Sequence, residues 1–442
     1  MLDLTEENSL ETFELGNSPQ IVQKRVLDNG LVLFTNRKVG IEGKVHIDVG
    51  FNFGSADEDP SDNGVAHLIE HTVFRGNDDL SAMAIIKALE RDGGKFNAGT
   101  SEESTEYDFD VNVRNVPRVL KTIYEMLIEP NFGPRKLATE KGIVLHEIAD
   151  YEHDFEDILG SIHMKLLLGD HPVAKLIRGT KDTVEGLTKA ALERYHRKHY
   201  TASNMAMAII GDIDDRCIDE AIRIFSAAPK GERNKRLIYP ATPHVQGYVS
   251  HRINDSDWQC CSVGAKLTDG TEDVNLCHPE IYVMSFINSL LGSGTDTGAR
   301  VSGRMNVEIR EKLGLVYSVT SDYGAGEDYG IYDVSFSRTG DSQPVLDIIY
   351  RELDRLRREP VSAEEFQSVL DFMLDEYTEE LILRDQLCNS LVGYELTQGG
   401  IREYACLPQR YRDVTPERIM AFAQKYMNID LLSVAKVESV RE

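Results

Sequence analysis

The chain has 442 residues, 41% of them hydrophobic, so it is too long for one core and rich enough for two or more packed domains. Its 74 acidic residues outnumber 48 basic ones, a formal charge of −26, which excludes nucleic acid as an expected partner and favours a basic or neutral peptide. There is no apolar run of the roughly 18 residues a membrane span needs, and no signal or transit pattern in the acidic segment 1–8. Cys217, Cys260, Cys261, Cys277, Cys388 and Cys406 form no C-x-x-C pair, so a soluble, reducing, cytoplasmic setting is expected.

In chain order, the first predicted element is a strand over 44–53. Val45, Ile47, Val49 and Phe51 point one way and His46 and Asp48 the other, the period-2 alternation of a half-buried strand. Two helical stretches follow, 63–74 and 81–91, the second with Ser81 as N-cap and Gly93-Gly94 as its stop. Residues 106–113 alternate again, with Tyr107, Phe109, Val111 and Val113 on one face and Asp108, Asp110 and Asn112 on the other. Helices are predicted over 116–128 and 134–150. Another is capped by Thr188 and ends near Tyr200, before the apolar strand 205–210. The polar stretch 230–244, with Pro240 and Pro243, is a predicted linker.

The second half repeats this plan. Residues 188–195 align with 415–422 at an offset of 227, the strand 205–210 with 432–437 at the same offset, and Val49-Gly50 with Val263-Gly264 at 214. The common order predicts two homologous domains, although two similar α+β layouts would produce the same coincidence. The expected division is 1–229, a linker at 230–245, and 246–442.

His67-Leu68-Ile69-Glu70-His71 lies in the predicted helix 63–74. Positions i, i+3 and i+4 share one helical face, so two imidazoles one turn apart can grip one ion with a carboxylate beside it. Zinc takes His nitrogen and carboxylate oxygen and in catalytic sites keeps a position open for water, and H-x-x-E-H is the inverted zincin motif. A charged surface helix is the plainer reading of the same pattern. Spacing does not single out a third ligand. Glu147 is the candidate because it sits on a long predicted helix, is flanked by apolar residues that should bury that helix, and has Glu140 two turns earlier on the same face. An ordinary exposed helix glutamate is the alternative.

Taken together, these residues resemble the pitrilysin or insulinase peptidases, family M16, and among them the shorter, processing-peptidase type. His67, Glu70, His71, Phe74 and Gly76 fit the family's H-x-x-E-H-x-x-F-x-G, with Glu147 falling 76 residues after His71. Asn97, Ala98 and Thr100 fit its N-A-x-T, Glu140 and Glu147 its two glutamates seven apart, and 310–318 its R-E-x-x-G-L-x-Y-S. The resemblance implies an α+β fold of two tandem homologous domains, each a mainly antiparallel sheet packed with helices, forming half of a clamshell.

It also implies roles. His67, His71 and Glu147 would hold one Zn2+, Glu70 would be the general base, and Glu140 would support the site. The edge strand with Phe96, Asn97, Ala98 and Thr100 would bind the peptide substrate, and Arg310 and Tyr317 would reach substrate carbonyls and the transition state. On the residues alone, the favoured readings are a surface helix arginine for Arg310 and a core-strand tyrosine with a wet hydroxyl for Tyr317, and turn chemistry beside Gly93-Gly94 is the plain alternative for Asn97. At offsets near 216, His67, Glu70 and His71 align with Val283, Phe286 and Ile287, and at an offset near 225 Glu147 aligns with Phe372, so the second domain is expected to lack metal ligands. One departure from the family pattern is an expected insertion at 295–301. The implied assembly is a homodimer, or a heterodimer with a related subunit. The rival functions are a non-catalytic subunit of a processing complex and a metal- or peptide-binding module.

Overall fold

A computed structural model of the chain describes residues 10–16, 20–37, 39–77, 80–253, 258–293, 300–397 and 399–439. Most of the expected insertion, 295–299, lies outside the described residues. The strands are β1 (Leu10–Leu15), β2 (Gln20–Val26), β3 (Val32–Arg37), β4 (Lys44–Phe51), β5 (Lys95–Thr100), β6 (Thr105–Asn112), β7 (Met205–Gly211), β8 (Tyr248–Ile253), β9 (Trp258–Lys266), β10 (Ser318–Ala325), β11 (Gly330–Thr339) and β12 (Ser433–Ser439). The helices of the first half are α1 (Val65–Val73), α2 (Ala82–Leu89), α3 (Val116–Leu127), α4 (Pro134–Tyr151), α5 (Phe155–Leu168), α6 (Lys181–Gly186), α7 (Lys189–His199) and α8 (Asp215–Phe225). Those of the second are α9 (Ile281–Leu291), α10 (Gln343–Arg358), α11 (Ala363–Glu380), α12 (Arg384–Thr397), α13 (Ile401–Arg412) and α14 (Pro416–Tyr426).

The fold is α+β, with two sheets packed with helices, as the sequence predicts. One sheet has the order β1-β2-β3-β7-β4-β6-β5 and the other β10-β11-β9-β12-β8. Five strands of the first, β5-β6-β4-β7-β3, match the whole of the second in order and direction. In both, the last pair is parallel (β7 with β3, β12 with β8) and the rest are antiparallel. The repeated threonines do the same work: Thr188 and Thr415 each accept a hydrogen bond from the third residue of the following helix, Ala191 N and Arg418 N, both at 3.2 Å.

The chain divides into two compact units that are not contiguous in sequence. One comprises Met1–Ile148, Lys175–Arg236 and Tyr377–Cys406, the other Ala149–Ala174, Leu237–Glu376 and Leu407–Glu442. The expected linker at 230–245 brackets the change at Arg236–Leu237. The expected contiguous blocks, 1–229 and 246–442, need correction at two places. Helix α5 packs on β9 and β12, and α12 packs on β4 and β7, so the outer face of each sheet is covered by a helix from the other half of the sequence.

This also corrects the reading of β4 as half-buried. Its apolar side chains join the core with β6, β7, α1 and α3, but His46 and Asp48 on the opposite face are buried too, at 6% and 1% exposure. Helix α12 lies close over them because the strand face is small: a Cβ on Gly50 would sit 2.4 Å from the Val392 side chain.

Candidate metal centre

Helix α1 begins where Gly64, at φ +94°, turns the chain into it. A Cβ there would meet the Arg178 carbonyl at 2.6 Å, so glycine is what permits this entry. The buried Glu58 carboxylate caps the helix. One oxygen accepts from Gly64 N and Asn63 Nδ2 and the other from Ala66 N, each at 2.8 Å. Burial pushes this carboxyl up to about 7, while its three N–H donors pull the other way. Val65, Ala66, Leu68, Ile69, Thr72 and Val73 are buried, which leaves His67, Glu70 and His71 together on the remaining, half-buried face. Phe74 stacks on Phe96 of β5 at 5.3 Å between ring centroids and so holds α1 against the end strand of the sheet.

Helix α4 supplies the carboxylates. Glu140 and Val144 are buried and Glu147, one further turn along, is half-buried on the same side. Leu145 and Ile148 pack against the core as expected of its apolar neighbours, whereas Ile143 is exposed. Glu147 Oε2 lies 3.5 Å from His71 Nε2 and 3.9 Å from His67 Nε2. The other His71 nitrogen, Nδ1, is 3.5 Å from Glu140 Oε2, and the second oxygen of Glu140 accepts from Arg75 Nε. Glu140 thus orients one imidazole and is itself held by an arginine, which limits how that ring can turn.

The donors of His67, His71 and Glu147 all lie within 4.8 Å of one another. Two imidazoles and one carboxylate form a donor set that zinc takes with a fourth position open. His67 Nδ1 is buried with no hydrogen-bond partner among the described residues. Desolvation, helped by the nearby His71 and Arg178 charges, pulls His67 down to about 3, so at neutral pH it offers the lone pair a metal requires. For His71, burial acts downward but the Glu140 hydrogen bond and the Glu147 and Glu70 charges outweigh it and raise the ring. Burial alone would raise Glu140; the hydrogen bonds with His71 and Arg75 instead hold it below the usual carboxylate range.

Glu70 faces the same space. Thr100 Oγ1 donates to its Oε2 at 2.9 Å. Burial, with the Glu147 charge behind it, raises its carboxyl against the Thr100 bond and the His71 charge, the direction a general base near neutral pH needs. Thr100, expected at the substrate, therefore also touches the expected base. β5 is the end strand, paired with β6 alone. Phe96 and Ala98 turn inward against the core, and Asn97 is exposed. Arg310 and Tyr317 belong to the other unit. There the Arg310 guanidinium lies 5.7 Å from the Tyr317 ring centroid, and Tyr317 is 78% exposed, which sets aside a core-strand role for it.

Sequence reasoning missed Glu58 and Arg75. Arg75 lies one turn beyond His71, a spacing at which a partner for Glu140 could have been sought. Glu58 leaves no such signal, because it reaches the helix through two short turns. In the second unit, Val283, Phe286 and Ile287 on α9 are fully buried and apolar, as expected of a half without metal ligands. No helix among the described residues is long and apolar enough to cross a membrane.

The chain is similar in sequence and in fold to proteins already described. A protein described as an uncharacterized zinc protease of Rickettsia bellii is 26% identical over 410 residues, covering 92% of this chain and 93% of that one. Another of the same description from Streptomyces coelicolor is 26% identical over 409 residues, covering 91% and 86%. The crystal structure of a protease from Helicobacter pylori superposes with a TM-score of 0.83 at 16% identity, over 98% of this chain and all of that one, and so shares the fold. Models of two consecutive domains match, "Insulinase (Peptidase family M16)" over residues 41–181 and "Peptidase M16 inactive domain" over 186–372. The chain belongs to the insulinase-type peptidase family M16.

Proposed function

We propose that this chain is a zinc-dependent endopeptidase, with His67, His71 and Glu147 as metal ligands and Glu70 as general base. The observation that carries the reading is the convergence of three ligand atoms within 4.8 Å with the Glu70 carboxylate on the same helical face. A zinc ion held there supplies Lewis acidity, polarising a peptide carbonyl and making water acidic enough to lose a proton near pH 7.

The chain's own residues do the rest. Glu70 takes the water proton on its carboxylate and returns it to the leaving amine nitrogen. Thr100 fixes one Glu70 oxygen and leaves the other for that proton. Glu140 and Arg75 hold the His71 ring in place. β5 aligns the substrate as an added strand, which reads backbone more than side chain. Arg310 and Tyr317 are proposed donors to the developing oxyanion.

A non-catalytic role is the second reading, since residues 186–372 match a domain described as inactive. That description falls on the half where apolar residues replace the ligands, while the first half keeps the full set. The test is cleavage of a mixed pool of unfolded peptides, read by mass spectrometry. Wild type should cut. A chelator-treated sample should not. Glu70→Gln should keep its metal and lose at least about a hundredfold in rate. Wild-type rates in Glu70→Gln would remove the base assignment, and an inert metal-loaded wild type would favour the non-catalytic reading.

A further inference from the structure

We infer that Glu58 is a positioning residue for the metal centre, holding the first turn of α1 so that His67 presents its imidazole beside His71 and Glu147. This rests on the metal-ligand reading and deepens it, since Glu58 secures the one ligand that the helix itself leaves loose.

The first N–H groups of a helix have no partner inside it, so a first-turn residue keeps its place through a cap. In α1 the ladder starts at Leu68 N, which donates to the Gly64 carbonyl at 3.0 Å. His67 lies just before that point and His71 one turn beyond it. The N-cap residue is Gly64, which has no side chain to cap with, and the first turn carries no acid of its own. Glu58 performs both tasks from outside the helix. Its Oε1 accepts from Ala66 N, the amide next to His67, and its Oε2 accepts from Gly64 N and Asn63 Nδ2. Both oxygens accept and neither donates, which suits the ionised carboxylate, and its charge suits the N-terminal end of the helix dipole.

Glu58 is itself braced. It is 4% exposed, and Lys175 Nζ donates to its carbonyl at 2.7 Å and to that of Ala56 at 3.3 Å. Asn63 Nδ2 also donates to the Leu176 carbonyl at 2.9 Å. Gly64 and Gly179 let the two backbones meet: a Cβ on Gly179 would lie 2.4 Å from the Asn63 carbonyl. Segment 175–179 therefore fixes the loop from behind, and the Glu58 carboxylate meets α1 from one direction only. A cap that merely stabilises costs the whole fold alike when it is lost. A cap that positions costs the metal centre more than it costs the fold.

The test compares full-length Glu58→Gln with Ile218→Ala, which opens a cavity in the core beneath α8, and follows the melting of both. Gln keeps the shape, but its amide nitrogen cannot accept, so contacts on one side of the group are lost. Zinc affinity, read by competition with a chelating dye, should fall about tenfold in Glu58→Gln and be unchanged in Ile218→Ala, even where Ile218→Ala melts lower. The visible spectrum of the cobalt-substituted protein should shift in the first and not in the second. On peptides, kcat should fall about tenfold in Glu58→Gln with KM unchanged. Glu58→Asp keeps the charge but falls one methylene short, so it should show the same losses in smaller degree, and it decides the matter if Glu58→Gln does not fold. Unchanged affinity and spectrum in the folded variant, or an equal loss in Ile218→Ala, overturns the inference. A wild type that holds no zinc removes the ligand reading and this inference with it. One that holds zinc and cuts nothing counts against the peptidase reading alone, because the affinity arm needs no turnover.

Discussion

Glu140 shows how much of the site depends on a residue that holds no metal. It is 2% exposed, ties His71 Nδ1 to Arg75, and leaves His71 Nε2 for the proposed ion. Glu140→Gln keeps the volume but loses the charge that both neighbours need. Zinc affinity, read by competition with a chelating dye, should fall by about 10–100-fold while the fold is retained. Unchanged affinity would reduce Glu140 to a buried ion-pair partner of Arg75.

Asp48 is the opposite case, a buried charge with little to hold it. One of its carboxylate oxygens has no partner among the described residues. Burial first, then the Glu106 and Asp108 charges, raise its carboxyl well above the usual value. A folded-state carboxyl pKa raised above the unfolded one contributes stability at low pH and loses it as pH climbs from the unfolded pKa through the folded one. Asp48→Asn should therefore stabilise the chain by on the order of 1–3 kcal/mol near neutral pH and by little near pH 4. Thermal melts of both proteins across that range would show the gap widening with pH, and a gap that narrowed would contradict the assignment.

Among the elements, α12 and β4 depend on each other most closely. The strand lets the helix approach because Gly50 has no side chain beneath Val392 and Leu396. Gly50→Val would place a Cβ 2.4 Å from Val392 and 2.8 Å from Leu396, so the helix must lift or the strand bend. The expected cost is about 1–3 kcal/mol by urea unfolding, since overpacking a close contact forces backbone shifts. Leu396→Ala in the same protein should recover part of that loss. Independent, additive losses would mean that the two residues do not meet.

Over the whole chain, the crossing of α5 and α12 makes the folding units differ from the sequence repeats. The outer face of β4 carries His46 and Asp48, which are buried only because a helix more than 330 residues later covers them. In the other unit, His163 on α5 hydrogen-bonds Ser262 of β9 at 2.8 Å, and Ser262 donates to Asp333. Native-state hydrogen exchange should show the amides of α12 opening together with β4 and β7, and those of α5 together with β9 and β12. Opening of α12 in step with α10 and α14 would restore the contiguous division.

The grouping of His67, Glu70 and His71 was legible because its spacing is local: i, i+3 and i+4 on one helix share a face whatever surrounds them. The repeat was legible for a similar reason, as capping threonines and apolar strands recur at a fixed offset and built matching sheets. Polar alternation along β4 was equally clear, yet its consequence was wrong, because period 2 separates two faces without saying what will cover the second. Glu58 and Arg75 were illegible since each acts on a partner fixed by the folded chain. Local periodicity sets which side chains travel together, whereas burial, pKa and the membership of a folding unit depend on contacts between residues hundreds of positions apart, and those exist only once the chain has packed.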